Sequence, residues 1–254
     1  MTPRFDFLPW FSPRLSVSLS RVLQGIGHVV RAVPGEVVYR SPELFSGKLM
    51  FVKRGFIVKR GFIVKAMMSP LHEDPLLVSL SGPGALCGAY EDLYVKDRMP
   101  RRHWCATSAE LLCVHSELLL RICDQNPEWQ KELRGYAASC AVSDRLAMVI
   151  NQTAGLEERS AVFVLLVGLS TESGFLDSID NPGVEWLSIP ALPSRTSASH
   201  VLGASREQLG VVLRRFLAED AIRLRAGRWW VKKSAFMPYW ERLRPLIESS
   251  SVAP

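Results

Sequence analysis

Residues 194–232 carry the most restrictive pattern in the chain. Two short helix signals flank a glycine, and two short β signals flank an Arg-Ala-Gly-Arg turn. Ser194 can cap a helix running to about Leu202, and Gly203 supplies the backbone freedom of a tight inter-helix turn. Ser205 opens a second helix to about Glu219. On it Leu209, Val212, Leu213, Phe216 and Leu217 recur at helical spacing, and Glu207, Gly210, Val211 and Arg214 share the opposite face. Ala221–Leu224 and Trp229–Lys232 are predicted strands, with Arg225–Arg228 as the turn. The order is that of a helix-turn-helix followed by a β-wing, which seats one helix in the major groove of duplex DNA.

The residue types suit that task. Arg206 lies in the first turn of the second helix, where it could form paired hydrogen bonds to guanine. Glu207 could accept a bond from the cytosine amino group, and Val211 could touch a thymine methyl. Arg195 is placed for phosphate, and Gly210 allows close approach. The candidate DNA-contacting set is Arg195, Ser205, Arg206, Glu207, Gln208, Val211, Arg214, Arg225 and Arg228. Residues 190–233 hold nine Lys or Arg against three acids, so this stretch contains the whole +6 excess of the chain, as phosphate binding requires. The bland alternative is an amphipathic helix pair with a solvated basic face, or a winged helix that serves a protein partner.

At 254 residues with 48% apolar content, the chain can form two packed domains. The opening residues lack the apolar core of a secretory signal, and the longest apolar run, Ala161–Leu169, is too short to span a bilayer. A cytoplasmic protein without membrane attachment is expected. Cys87, Cys105, Cys113, Cys123 and Cys140 contain no C-x-x-C pair and read as buried, reduced thiols, with a redox-sensing thiol at Cys87 or Cys105 as the alternative. His103-Trp104-Cys105 offers a potential metal or haem ligand set, though a core histidine explains it as well. No nucleophile-elbow, zinc-protease or P-loop motif is present. Neither enzymatic activity nor a cofactor is expected.

An α+β fold is predicted, with an antiparallel β-roll first, a long dimerisation helix next and a winged helix-turn-helix last. A helical lead-in over about 12–30 precedes short β-like runs at Glu36–Arg40, Leu49–Lys53, Leu76–Leu80, Leu86–Ala89, His103–Thr107 and Glu110–Val114. Val52–Ile57 is repeated at once as Val58–Ile63; a six-residue insertion is even and keeps strand residues on their original faces. It fits a neutral duplication, a longer strand or a looped-out copy. Asn126-Pro127 signals a helix start. Trp129, Leu133, Tyr136, Cys140, Ser143, Ala147 and Ile150 then form a seam in alternating four- and three-residue steps, suited to a dimer or to packing against the roll. Thr153–Gly155 reads as a hinge, Leu156–Leu169 as a helix, and 170–193 as a loop with one short strand near 184–189. The domains are thus 1–125 (roll), 126–154 (dimerisation helix and hinge) and 155–248 (winged helix), with a tail at 249–254.

This order of parts resembles the CRP/FNR family of bacterial transcription regulators over roughly residues 20–235. The likeness is strongest at Leu202-Gly203-Ala204-Ser205-Arg206-Glu207-Gln208-Leu209, near that family's apolar-Gly-x-Ser-Arg-Glu-Thr-apolar pattern. The resemblance implies a homodimer reading a pseudo-palindromic DNA site, with Arg206 and Glu207 on bases, Arg195 on phosphate, and RNA polymerase as a further partner. The family's third base-reading position, often Arg, is Val211 here, which implies a shifted sequence preference. The effector site departs further. The resemblance places it at Gly88, Arg101, Arg102, Asp144 and Arg145, but Ala89 stands where cyclic-AMP binders carry the ribose-holding Glu. Cyclic-AMP dependence is therefore not expected, and the effector stays unidentified. The cysteine cluster of the oxygen-sensing members is absent, since no Cys precedes Cys87.

Overall fold

A computed structural model of the chain describes residues 7–41, 47–53, 61–69, 71, 75–88, 90, 93–94, 100–172 and 174–249. Two compact units emerge, Phe11–Asp144 and Arg145–Pro254 with Met1–Trp10.

The first unit is a β-roll of two four-stranded antiparallel sheets. Helix α1 (Val17–Ile26) is capped by Ser16, whose hydroxyl accepts from the Leu19 N–H at 3.2 Å. The strands are β1 (His28–Ala32), β2 (Val37–Ser41), β3 (Lys48–Val52), β4 (Ile63–Met68), β5 (Pro75–Ser81), β6 (Leu86–Gly88), β7 (Arg101–Cys105) and β8 (Ala109–His115). One sheet has the order β1-β8-β3-β6 and the other β2-β7-β4-β5. Two of these strands go beyond the sequence expectation. β1 replaces the expected end of the lead-in helix. It leaves the helix at Gly27, where a Cβ would lie 2.8 Å from the Leu23 carbonyl, and pairs with β8 from His28↔Cys113 to Ala32↔Ala109. β4 begins at Ile63, the last residue of the tandem repeat, of which residues 54–60 lie outside the described residues.

Helix α2 (Ser116–Cys123) leads into the long helix α3 (Pro127–Thr153). Asn126 caps α3, its side-chain oxygen accepting from the N–H groups of Glu128 and Trp129 at 3.1 and 3.3 Å. The first half of the α3 seam packs on the roll. Leu133, Tyr136 and Cys140 are buried in one cluster with Leu19, Leu23, Leu49 and Leu119. The Tyr136 hydroxyl accepts from the Leu86 N–H at 2.7 Å and donates to the Pro13 carbonyl at 3.1 Å. Leu49, Phe51, Leu86, Leu112 and Val114, on the helix-facing side of the β1-β8-β3-β6 sheet, supply the apolar surface that α3 covers. Met148 and Val149 remain as exposed apolar side chains on α3.

The second unit contains α4 (Leu156–Thr171), α5 (Phe175–Asp180), β9 (Trp186–Ile189), α6 (Arg195–Val201), α7 (Arg206–Ala218), β10 (Ile222–Arg225), β11 (Arg228–Lys232) and α8 (Lys233–Ser249). α4 is buried almost all round, as its unbroken apolar run predicts. α5 lies in the stretch expected to be loop. Phe175 anchors it against α4 at Gly168, where an added Cβ would meet the phenyl ring at 2.2 Å. α8 has no counterpart in the sequence reading, and it holds Pro238 and Pro245 within its span. Phe236, Trp240 and Ile247 nevertheless form its buried face, and this burial outweighs the two lost backbone bonds. No described helix is long and apolar enough to cross a membrane.

Candidate nucleic-acid interface

Helices α6 and α7 form as their caps dictate. The Ser194 hydroxyl accepts from the Ser197 N–H at 3.2 Å. Gly203 takes φ +57 in the turn, a left-handed conformation that a β-carbon disfavours. Ser205 and Gln208 close a reciprocal capping box, the Ser205 hydroxyl accepting from the Gln208 N–H at 3.1 Å and the Gln208 side-chain oxygen from the Ser205 N–H at 3.0 Å. On the inner face of α7, Leu209 and Phe216 are buried, Val212 and Leu213 are half-buried, and Leu217 is 48% exposed.

The outer face gathers the chemistry. Arg206, Glu207, Val211 and Arg214 are all exposed on one arc of α7, with Val211 at 57%. Gly210 lies at the centre of that arc. A β-carbon there would sit 3.1 Å from Nη1 of Arg195 and 3.6 Å from Nη1 of Arg214, so the notch left by glycine seats two guanidinium groups from two helices. The Glu207 carboxyl is held below the usual carboxylate range by hydrogen bonds to its own N–H and to Ser205, aided by Arg206 and Arg195. It therefore stays an acceptor at neutral pH. Among the described residues Arg195, Arg206, Arg214 and Arg225 form no salt bridge, so their charge is available to an anionic ligand.

The wing is tighter than the four-residue turn read from the sequence. Arg225 pairs with Arg228, and only Ala226 and Gly227 remain in the loop, at φ 48 and 71. Two successive positive φ values make a primed turn, whose twist matches that of the flanking strands. The two wing arginines then diverge. Arg225 is exposed, whereas Arg228 donates to Ser188 and to Glu172, both at 2.7 Å. Arg228 thus holds β11 to the body of its unit. Arg215 is similarly committed to Glu157 and Glu219, and Arg223 to Asp220 while lying 4.0 Å over the Trp186 ring.

The roll interior arranges the other predicted site differently. Arg101 and Arg102 alternate across β7, so their side chains leave opposite faces of the strand. Arg101 is buried, and Arg102 lies over the outer Trp104 ring at 5.7 Å. Lys65, which sequence reasoning missed, takes the central place: Nζ donates to the Tyr90 hydroxyl at 2.9 Å and to Asp144 at 3.0 Å. Its only signal in the sequence is a lysine within an apolar strand. His103 sits opposite Lys65 in the β4–β7 register, and Nδ1 accepts from the Gly88 N–H at 3.0 Å. Burial first, then Lys65 and Arg101, push its pKa well below the ordinary value, so the imidazole is neutral. Gly88 has φ +90, and a Cβ would lie 2.8 Å from the Lys48 carbonyl. Arg145 is exposed, and Ala89 lies outside the described residues. All five cysteines are buried thiols outside any disulfide; burial, then Glu36, raises the Cys105 thiol to about 12. No three His, Cys, Asp or Glu among the described residues form a group that could hold a metal ion.

No protein-family model and no curated relative matches the chain by sequence. Solved structures do match in fold. FixK2 from Bradyrhizobium japonicum is 12% identical with a TM-score of 0.58, covering 90% of this chain and 99% of its own. The c-di-GMP-responsive global regulator CLP of Xanthomonas campestris is 15% identical, with a TM-score of 0.56, covering 85% and 99%. A CRP/FNR-family transcriptional regulator from Thermus thermophilus is 18% identical, with a TM-score of 0.54, covering 84% and 98%. With its roll, long helix and winged helix-turn-helix in that order, this chain has the fold of the CRP/FNR transcription regulators.

Proposed function

We propose that the chain is a sequence-specific DNA-binding transcription regulator of the CRP/FNR type, acting in the cytoplasm as a homodimer on a pseudo-palindromic site. The observation that carries this reading is the outer face of α7. Arg206, Glu207 and Val211 are exposed together beside Gly210, and Arg195 and Arg214 converge on the glycine notch. Arg206 and Glu207 are the base readers, Arg195, Arg214 and Arg225 the phosphate contacts. Ser205 and Gln208 fix the first turn of the reading helix through their capping box. Two copies would present their α7 helices to half-sites about 34 Å apart. The face of α3 bearing Met148 and Val149 is left for the partner copy, since the Leu133–Cys140 seam is already occupied.

The regulator works without cyclic AMP. Ala89 stands at the position of the ribose-holding Glu, and Lys65 already has an internal carboxylate in Asp144. RNA polymerase is the further partner such a role calls for. Selection from a randomised duplex pool tests the reading: a two-fold symmetric motif with G·C-containing half-sites is expected. A folded protein that enriches no duplex, with or without cell extract as a source of effector, would refute it.

A further inference from the structure

The winged-helix unit contains a cavity of about 510 Å³ between α4, α6, α7 and the wing strands. Its wall is apolar, formed by Phe163 and Val164 of α4, Leu209, Leu213 and Leu217 of α7, and Trp229 of β11. It opens to solvent on one side, as the exposure of Arg195 and Leu217 at its edge requires. A space of this size lies in the range of small-molecule sites, which combine apolar walls with a few polar groups. Two polar features mark this one. Ser160 lines it, 1% exposed, with a hydroxyl that has no hydrogen-bond partner among the described residues. Arg195 also lines it, and no acidic side chain among the described residues does. Leu217, 48% exposed, gives the site an apolar lip toward solvent.

We propose that this cavity binds a small amphiphilic monocarboxylate, its aliphatic body among the leucines, Phe163 and Trp229, its carboxylate on the Arg195 guanidinium. Arg195, exposed at the mouth, is the cationic group there that a single carboxylate could meet, and a polyanion would have no polar wall to lie on. The charge-assisted guanidinium–carboxylate bond supplies the orientation. The site has a consequence for DNA reading, which rests on the function proposed above. Arg195 is shared between the cavity and the Gly210 notch, so a bound carboxylate draws it off the outer face of α7 and lowers DNA affinity.

Calorimetric titration of the full chain with sodium decanoate tests the site, with decanol as the uncharged probe. Saturable binding at one decanoate per chain is expected, preferred over decanol by about tenfold as a charge-assisted contact implies. Arg195→Gln should abolish that preference. Leu213→Trp, which fills the cavity from its half-buried rim, should weaken decanoate by about tenfold or more through overpacking. Circular dichroism and the melting temperature establish that each variant is folded, and Ser160→Ala offers a second, smaller change at the wall. No binding at millimolar decanoate, equal binding of decanol, or wild-type affinity in folded Leu213→Trp would each overturn the proposal. The calorimetry needs no DNA, so its failure is separable from failure of the DNA reading. Retention of a selected duplex at saturating decanoate should fall, and unchanged retention would overturn the coupling to DNA.

Discussion

Asp144→Ala probes how the roll tolerates an ammonium group in its interior. The Lys65 side chain is 7% exposed and that of Asp144 15%, with 3.0 Å between the charges. Taking an ammonium out of water costs several kcal/mol, and a carboxylate at contact offsets most of that. Removing one partner of a fully buried pair costs about 3–5 kcal/mol. Here the Tyr90 hydroxyl still accepts from Lys65 at 2.9 Å, and Asp144 keeps some solvent. The expected loss is therefore smaller, about 2–3 kcal/mol, within the roll transition. The double variant Lys65→Met with Asp144→Ala removes both charges and keeps the side-chain volume at position 65. It should recover most of the loss, because an apolar replacement of a buried pair is close to neutral. Urea unfolding followed by tryptophan fluorescence and far-UV circular dichroism gives the four corners of the cycle, with a coupling of about 2 kcal/mol expected. An Asp144→Ala variant within about 0.5 kcal/mol of wild type would show that Asp144 is not what stabilises the Lys65 charge, and the reasoning would fail.

Three further outcomes are expected. Arg206→Ala should cost about 1–3 kcal/mol of DNA binding and relax preference at one base pair per half-site; uniform weakening on all sequences, measured by competition, would assign Arg206 to phosphate instead. His103 has a folded pKa below its unfolded value near 6.5, so the unfolded chain takes up a proton that the folded one refuses, and roll stability falls as pH drops below 6.5, by up to about 1.4 kcal/mol per pH unit until the folded pKa is reached. Denaturation curves at pH 7.5 and 5.5 measure this, and His103→Gln should flatten the difference. Gly203→Ala adds a Cβ whose nearest neighbour is Asn151 Nδ2 at 3.8 Å, so its cost is backbone strain alone, about 1–2 kcal/mol in thermal unfolding; a loss well above that would contradict the open space around the turn.

What could be read from the residues was local. Ser194 and Ser205 read as caps and Gly203 as a turn, and the two serine caps and the left-handed glycine form; the return bond of Gln208 goes beyond that reading. The apolar rows of α4 and α7 follow from helical spacing, and the Asn126-Pro127 start of α3 from backbone chemistry. Their order along the chain suffices for the fold class and for the outer face of α7. Tertiary structure decided whatever depends on a distant partner. Strand β1 exists because β8 offers an unpaired edge, and α8 survives two prolines because Phe236, Trp240 and Ile247 are buried. The α3 seam fits a second copy or the roll by periodicity alone; the folded chain puts Leu133, Tyr136 and Cys140 on the roll. Arg228 carries the same charge as Arg225, yet Glu172 and Ser188 hold it, and neither could be inferred from the wing sequence. Lys65 becomes intelligible only once strand register sets it opposite His103 and α3 brings Asp144 to it. Caps and periodicity act over a few residues and are written in the chain; charge pairing and burial act across space, and only the folded packing supplies their partners.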